Sequence, residues 1–251
     1  MRELEREPSD TPACARLAIV GRGRLGNALA AELTRTGFQV SGPLGRAADG
    51  AGADAVVLCV PDAEIAAAAA SVVPGPLVGH CSGAGGLEAL EPHEAFSLHP
   101  LMTVTFAGAR FAGAGAAVAG STERALRYAC ALAEVLGMRP VRVADEDRAL
   151  YHAAASVASN FLVTLEGAAE RLAERAGVER SLLAPLVRAT VENWATHGAG
   201  RALTGPIVRG DEATVATQRA AVDQRAPELL GLFDALSEAT RELAAATGQP
   251  A

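Results

Sequence analysis

Apolar and polar positions alternate along the first half of the chain in a regular rhythm. Short apolar runs are separated by alanine- and leucine-rich runs of helical period. "RLAIV" predicts a strand, and "LGNALAAELTRT" predicts a helix that Gly37 ends. "FQVSG" reads as a second strand. "DAVVLCV" is almost continuously apolar, as a strand buried on both faces of a parallel sheet would be. "PLVGHCSG" and "AFSLH" read as further strands that end in polar loops. "GAAVAG", a helix over "TERALRYACALAEVLG" and the strand "RPVRV" complete the series. Alternation of this kind predicts an α/β unit: a Rossmann-type, doubly wound parallel sheet. The segment between the second strand and "DAVVLCV" is short, so one crossover must be abbreviated.

The pattern changes after Val143. "DEDRALYHAAASVASNFLVTLEGAAERLAERAG" carries helical periodicity without a proline, begins with acids and ends at Gly177. "RSLLAPLVRATVENWATHG" and "APELLGLFDALSEATRELAAATG" predict further helices, with "ALTGPIVRGDEATVATQ" between them as a loop and a helix start. The expected organisation is a disordered lead-in at 1–14, a nucleotide-binding domain at 15–144 and an all-α domain at 145–251.

Composition narrows the picture. Only 4% of the 251 residues are aromatic while half are hydrophobic, so the core must be built from Ala, Leu and Val. A net charge of −7 with no basic run argues against nucleic acid as a partner. Cys14, Cys59, Cys81 and Cys130 are scattered, which excludes a CxxC metal site and suits a reducing cytoplasm. The charged start is not a signal peptide, and "AEIAAAAASVV" is too short to span a bilayer. The chain contains no lysine. No lysine can therefore act as acid, base or Schiff-base former.

The first chemistry-bearing motif is Gly21-Arg22-Gly23-Arg24-Leu25-Gly26, which follows a predicted strand and opens a predicted helix. Gly21 permits a tight turn, Gly23 lets backbone approach a pyrophosphate, and Gly26 lets helix and strand pack closely. The free N–H groups of the helix start favour phosphate. An NAD site usually has an acid at the end of the second strand, but here that end reads "VSGPLGR". Ser41 and Arg46 stand there, with Arg22 and Arg24 in the loop, a set that favours the 2′-phosphate of NADP. Val60, Pro61 and Ser82, at the ends of later strands, join the expected cofactor contacts. Asp62 is expected to cap the helix that follows it.

Candidates for the reaction lie at strand ends and on the long helix. His80 and Ser82 lie at the end of one strand, and His99 at the end of another, before a proline that should fix the loop. Cys81 reads as an ordinary buried cysteine. His152, Ser156 and Ser159 recur at i, i+4 and i+7, on one helix face, with Asn160 on its flank. Arg209 and Asp211 follow a Gly-Pro turn, where they either bind an anionic substrate or pair with each other.

"VGRGRLGNALA", "VVLCVPDAEI", "HCSGAGG", "SLHPLMT", "DRALYHAAASVASNFLVTL" and "ALTGPIVRGDEATV" occur in this order. Together they resemble a bacterial family with a Rossmann-like N-terminal domain and a helical C-terminal domain of unknown function. That family lies in the 6-phosphogluconate dehydrogenase-like superfamily, near pyrroline-5-carboxylate and ketopantoate reductases. The resemblance implies an NADP-dependent oxidoreductase, dimeric through its helical domain, with substrate between the nucleotide domain and the first long helix. Some members are associated with ketopantoate reduction. This chain departs from the family in its shorter segment after the second strand, and in Gln218, where a histidine often follows "TV".

Well-studied hydroxyacid dehydrogenases of the superfamily use a lysine as proton donor, which this chain lacks. A carbonyl substrate would then need His152 or His99 as the acid, with Ser156 and Asn160 beside it. An iminium is already protonated and makes a smaller demand. Ser159, Arg209 and Asp211 are the expected substrate ligands. The expectation is thus a reductase of a small, carboxylate-bearing 2-oxo acid or cyclic imine. The alternative is a non-catalytic NADP sensor or interaction protein.

Overall fold

The computed structural model describes residues 16–105 and 108–247. The expected lead-in at 1–14, with Cys14, lies outside the described residues. Contacts divide the chain into two compact units, one through Ser159 and one from Asn160.

The first unit is built on a seven-stranded sheet: β1 (Arg16–Val20), β2 (Gln39–Leu44), β3 (Ala55–Leu58), β4 (Leu77–His80), β5 (Ala95–Leu101), β6 (Gly115–Gly120) and β7 (Arg139–Arg142). Their order in the sheet is β2-β1-β3-β4-β5-β6-β7. Helices α1 (Arg24–Arg35), α2 (Ile65–Ala69), α3 (Glu123–Val135) and α4 (Arg148–Ser156) accompany it. Apart from Arg16 and His80, β1, β3 and β4 are apolar, and every one of their residues except Arg16 is buried. One face packs Leu17, Ile19 and Val57 with Leu29 and Leu33 of α1 and Leu132 of α3. The other packs Val20, Val56 and Leu58 with Ile65 and Ala69 of α2. Because apolar area removed from water is the main driving force, this two-sided burial fixes the carboxyl ends of the central strands as a rigid edge.

The α/β fold with a helical continuation matches the sequence reading, and so does the abbreviated crossover. Residues 45–54, between β2 and β3, form turns without a helix. Two details differ. The sheet is not wholly parallel: β6 runs antiparallel to β5, and β7 follows β6. An apolar run reads the same in either direction, so periodicity cannot reveal the reversal. Pro100 does not start a loop but lies within β5. There β5 still pairs with β6, while its ladder with β4 has ended at Ser97, so the missing proline N–H costs the sheet little.

The division of the chain at Ser159/Asn160 falls later than residue 144. Arg148 and Tyr151, in the first turns of α4, bond to Ser97 and His99 of β5 and hold that helix to the sheet. The long helical stretch is also interrupted by a π-helical segment, Val157–Phe161.

The second unit contains α5 (Leu162–Arg175), α6 (Arg180–His197), α7 (Ala199–Ala202), α8 (Glu212–Arg225) and α9 (Leu230–Ala246). Ala168, Val222, Ala226 and Leu229 form its small buried cluster. No residue of α6 is buried.

Candidate functional site

The glycine loop joins β1 to α1. Gly21 has φ +120°, and a Cβ there would lie 2.2 Å from the Cys59 carbonyl oxygen. A Cβ at Gly26 would lie 1.9 Å from the Gly21 carbonyl oxygen. Both positions therefore require glycine for packing alone. Gly23 is different: nothing lies within 4 Å of its Cβ position. It is the N-cap of α1 and supplies no side-chain cap, so the first N–H groups of the helix stay available to an anion.

Beside this loop is a cavity of about 350 Å³, lined by Gly21–Gly23, Leu44–Arg46 and Cys59–Pro61. It brings together Arg22, Arg46, Val60 and Pro61 with Gly21 and Gly23, while Gly26 lies outside its lining. Arg46 forms an ion pair with Glu64 at 2.6 Å, with both side chains partly exposed. Leu25 is half-buried and packs on the core, and Arg24 is exposed at the start of α1. The shape and the donors of this cavity suit a dinucleotide pyrophosphate.

The loop after β4 is fixed by its own side chains. His80 is fully buried; its Nδ1 accepts from the Ser82 N–H at 3.1 Å, so its Nε2–H donates to the Gly86 carbonyl at 2.8 Å. Burial holds His80 below its ordinary pKa, which keeps this neutral tautomer. The Ser82 hydroxyl donates to Asp62 and accepts from the Gly85 N–H, both at 2.8 Å. Asp62 therefore makes no side-chain cap on its helix, contrary to the local reading; its carboxylate holds the Ser82 loop instead. Cys59 and Cys81 face each other with Sγ atoms 3.9 Å apart. The Cys81 thiol and then burial push the Cys59 thiol well above its ordinary value, so it is not a thiolate nucleophile.

A second cluster forms where β5 meets α4. His99 Nδ1 lies 2.9 Å from the Tyr151 hydroxyl. The His152 ring is 6.0 Å from the His99 ring, edge to face. Gly83 fits between them: a Cβ there would come within 2.8 Å of His152 Cδ2 and 2.9 Å of His99 Cε1 and Nε2. Burial, and then the neighbouring His152, push His99 down to about 4. It is therefore a neutral imidazole at physiological pH. Arg148 is buried beneath it, donating to Ser97 Oγ and to Asp145, both at 2.9 Å.

Sequence spacing places His152 and Ser156 on one face, and both lie on α4. Ser159 and Asn160 lie in the π-helical segment, where i→i+5 winding replaces the 3.6-residue period on which the shared face was argued. Asp211 caps α8, accepting from the Thr214 N–H at 3.1 Å and the Thr214 hydroxyl at 2.7 Å. Arg209 is exposed and makes no ion pair with Asp211 among the described residues. Sequence reasoning missed Tyr151 and Gly83. The "YH" dipeptide contained the first, but its partner lies fifty-two positions away.

Among the described residues, no three His, Cys, Asp or Glu side chains gather as a metal site would, and no helix is long and apolar enough to cross a membrane. The fold is similar to a Bacteroides fragilis protein carrying the provisional name NADP oxidoreductase: 21% identity, TM-score 0.79, covering 92% of this chain and 99% of that one. It is also similar to a Thermotoga maritima protein, with 23% identity, TM-score 0.75 and coverage of 92% and 98%. A 1-pyrroline-5-carboxylate reductase from Streptococcus pyogenes shares 12% identity with a TM-score of 0.63, covering 92% and 98%. No curated protein matches the chain. A family profile described as "Domain of unknown function (DUF2520)" matches residues 114–240. That span is just over half of the chain, so the protein belongs to the DUF2520 family.

Proposed function

We propose that this chain is an NADP-dependent oxidoreductase that reduces a small C=O or C=N substrate bearing a carboxylate. One observation carries the reading. The unobstructed Gly23 backbone and its cavity lie on the same carboxyl edge of the sheet as the Gly83–His99–Tyr151–His152 cluster. In open α/β sheets that edge is where ligands bind. The names of the Bacteroides and Streptococcus neighbours agree with this chemistry.

The roles follow from the geometry. The α1 N–H groups and the Gly21–Gly23 backbone would hold the pyrophosphate. Arg46, with Arg22 and Arg24 on the same loop system, would meet a ribose 2′-phosphate. Bound there, the nicotinamide supplies a hydride. The Ser82–Asp62–His80 bonds keep the β4 loop in place against the site. His99, His152, Ser156 and Ser159 of the first unit are the proposed polar contacts for substrate, while Asn160 and the exposed Arg209 belong to the second unit. Asp211 caps α8 and so fixes the turn that carries Arg209.

We also propose a homodimer formed through the helical unit. Leu182, Leu186 and Trp194 of α6 are more than half exposed, and the unit has few buried residues of its own to offset its chain entropy. A cytoplasmic setting suits the three free cysteines among the described residues.

The test is NADPH oxidation by the purified chain with a panel of 2-oxo acids and cyclic imines. Oxidation that depends on substrate supports the reading. Binding of NADPH without turnover of any member favours the sensor alternative.

A further inference from the structure

We infer that Tyr151 is the proton donor of this enzyme, acting on a carbonyl oxygen, and that His99 positions and stabilises it through an Nδ1–H directed at the phenol oxygen. This rests on the reductase reading above and narrows its substrate class to 2-oxo acids.

The other acids at this edge of the sheet are engaged elsewhere, hold no proton to give or are not held in place. The chain has no lysine. His80 has both ring nitrogens engaged by the backbone of its own loop. Asp62 accepts the Ser82 proton rather than offering one. Cys59 is a buried thiol against Cys81. His99 is enclosed by Gly83, Tyr151 and His152, with Arg148, Asp62 and His80 as the other charged or titratable groups acting on it. In that setting it stays neutral, so it cannot deliver an imidazolium proton at physiological pH. His152 is exposed, and no hydrogen bond orients its ring among the described residues.

Tyr151 alone combines a proton, a fixed oxygen and an open side. Its ring packs edge-on against His99 at 5.6 Å, and its hydroxyl is held 2.9 Å from Nδ1. Burial keeps the phenol protonated, while the nearby Arg148 cation favours the phenolate once it forms. The side chain is half-buried, which leaves a path to water.

Once a carbonyl carbon has accepted hydride, the electron pair of the C=O bond rests on oxygen. The Tyr151 O–H bond then breaks as the substrate O–H bond forms. The O–H electron pair stays on the phenolate, which accepts the His99 Nδ1–H bond and recovers a proton from water. The phenol can give its proton to substrate only if it is not already donating it to His99, so the role requires the Nδ1–H tautomer. A protonated cyclic imine needs no such proton.

Two measurements on the full chain test this. In the ¹⁵N-labelled protein without nucleotide, long-range ¹H–¹⁵N correlations should show His99 neutral and protonated on Nδ1 between pH 5 and 8. With ketopantoate as probe, Tyr151→Phe should lower kcat by about 100-fold, the lower end for a lost general acid, while NADPH affinity stays unchanged. A His99 proton on Nε2, or ketopantoate turnover that survives Tyr151→Phe, overturns the role of Tyr151 alone. A wild-type chain that reduces only the imine probe 1-pyrroline-5-carboxylate overturns the narrowing to 2-oxo acids and the donor role with it, and leaves the reductase reading intact. A wild-type chain that binds NADPH and reduces neither probe overturns both.

Discussion

Arg148 donates to the hydroxyl of Ser97 at 2.9 Å, joining α4 to β5 through two side chains that are both almost completely buried. The guanidinium also pairs with Asp145, whose side chain is 74% exposed. Arg148→Ala would orphan the Ser97 hydroxyl and leave a void. It should lower unfolding stability by about 2–3 kcal/mol, because an unsatisfied buried hydroxyl and lost packing both contribute. Urea unfolding of the variant checks this, and a change within about 0.5 kcal/mol, as for a surface substitution, would show that the pair is not a fastening.

His99 gives the fold a pH dependence whose sign is fixed. Its folded value, about 4, lies below the ordinary 6.5, so the unfolded chain binds the proton more readily. Between those values stability rises with pH: the contribution is complete above about 6.5 and is lost as pH falls toward about 4. The full contribution is about 3 kcal/mol at 1.36 kcal/mol per pH unit. His80 shifts in the same direction and adds to the slope. His99→Gln should flatten, without abolishing, the loss of stability between pH 6.5 and 4. An unchanged slope in denaturant titrations across that range would place His99 in a solvated setting.

Gly23 separates binding from folding. Its φ of −74° is open to any residue, and its Cβ position is unobstructed. Gly23→Ala should therefore leave the melting temperature within a degree or two of wild type, yet put a methyl group where backbone must approach a pyrophosphate. NADPH affinity should fall at least about tenfold, or 1.4 kcal/mol. By contrast, Gly26→Ala should unfold or strongly destabilise the chain. Calorimetric titration beside a thermal melt reads both quantities for each variant.

Arg46 tests the choice of nucleotide. Its pair with Glu64 is partly exposed, and such pairs contribute about 0–1 kcal/mol, so a phosphate can displace the carboxylate at little cost. Arg46→Ala should weaken NADPH about tenfold, leave NADH unchanged and leave stability unchanged. Equal losses for both nucleotides would show that Arg46 does not discriminate between them.

Much of this was legible in the residues. The uniformly apolar β3 announced a two-sided core, and the glycine spacing announced a strand–turn–helix with a bare helix start. Local patterns were less informative where partners are distant. Asp62 resembles a helix cap until Ser82 is brought to it from β4. Asp211 resembles a ligand until Thr214 is seen to take both of its oxygens. Tyr151 was overshadowed by its neighbour His152, since only the crossing of α4 over β5 gives it His99. The π-helical winding at Val157–Phe161 leaves no signature in hydrophobic period, so a face drawn at 3.6 residues extended further than the helix supports.

A paired titration of the purified chain with NADPH and NADH decides whether the β1–α1 loop is an NADP site. Nucleotide fluorescence and thermal shift should show NADPH binding at micromolar concentration or tighter, with NADH at least about tenfold weaker, as loss of one charged phosphate contact requires. Failure of both nucleotides to bind or to raise the melting temperature at millimolar concentration would contradict the claim.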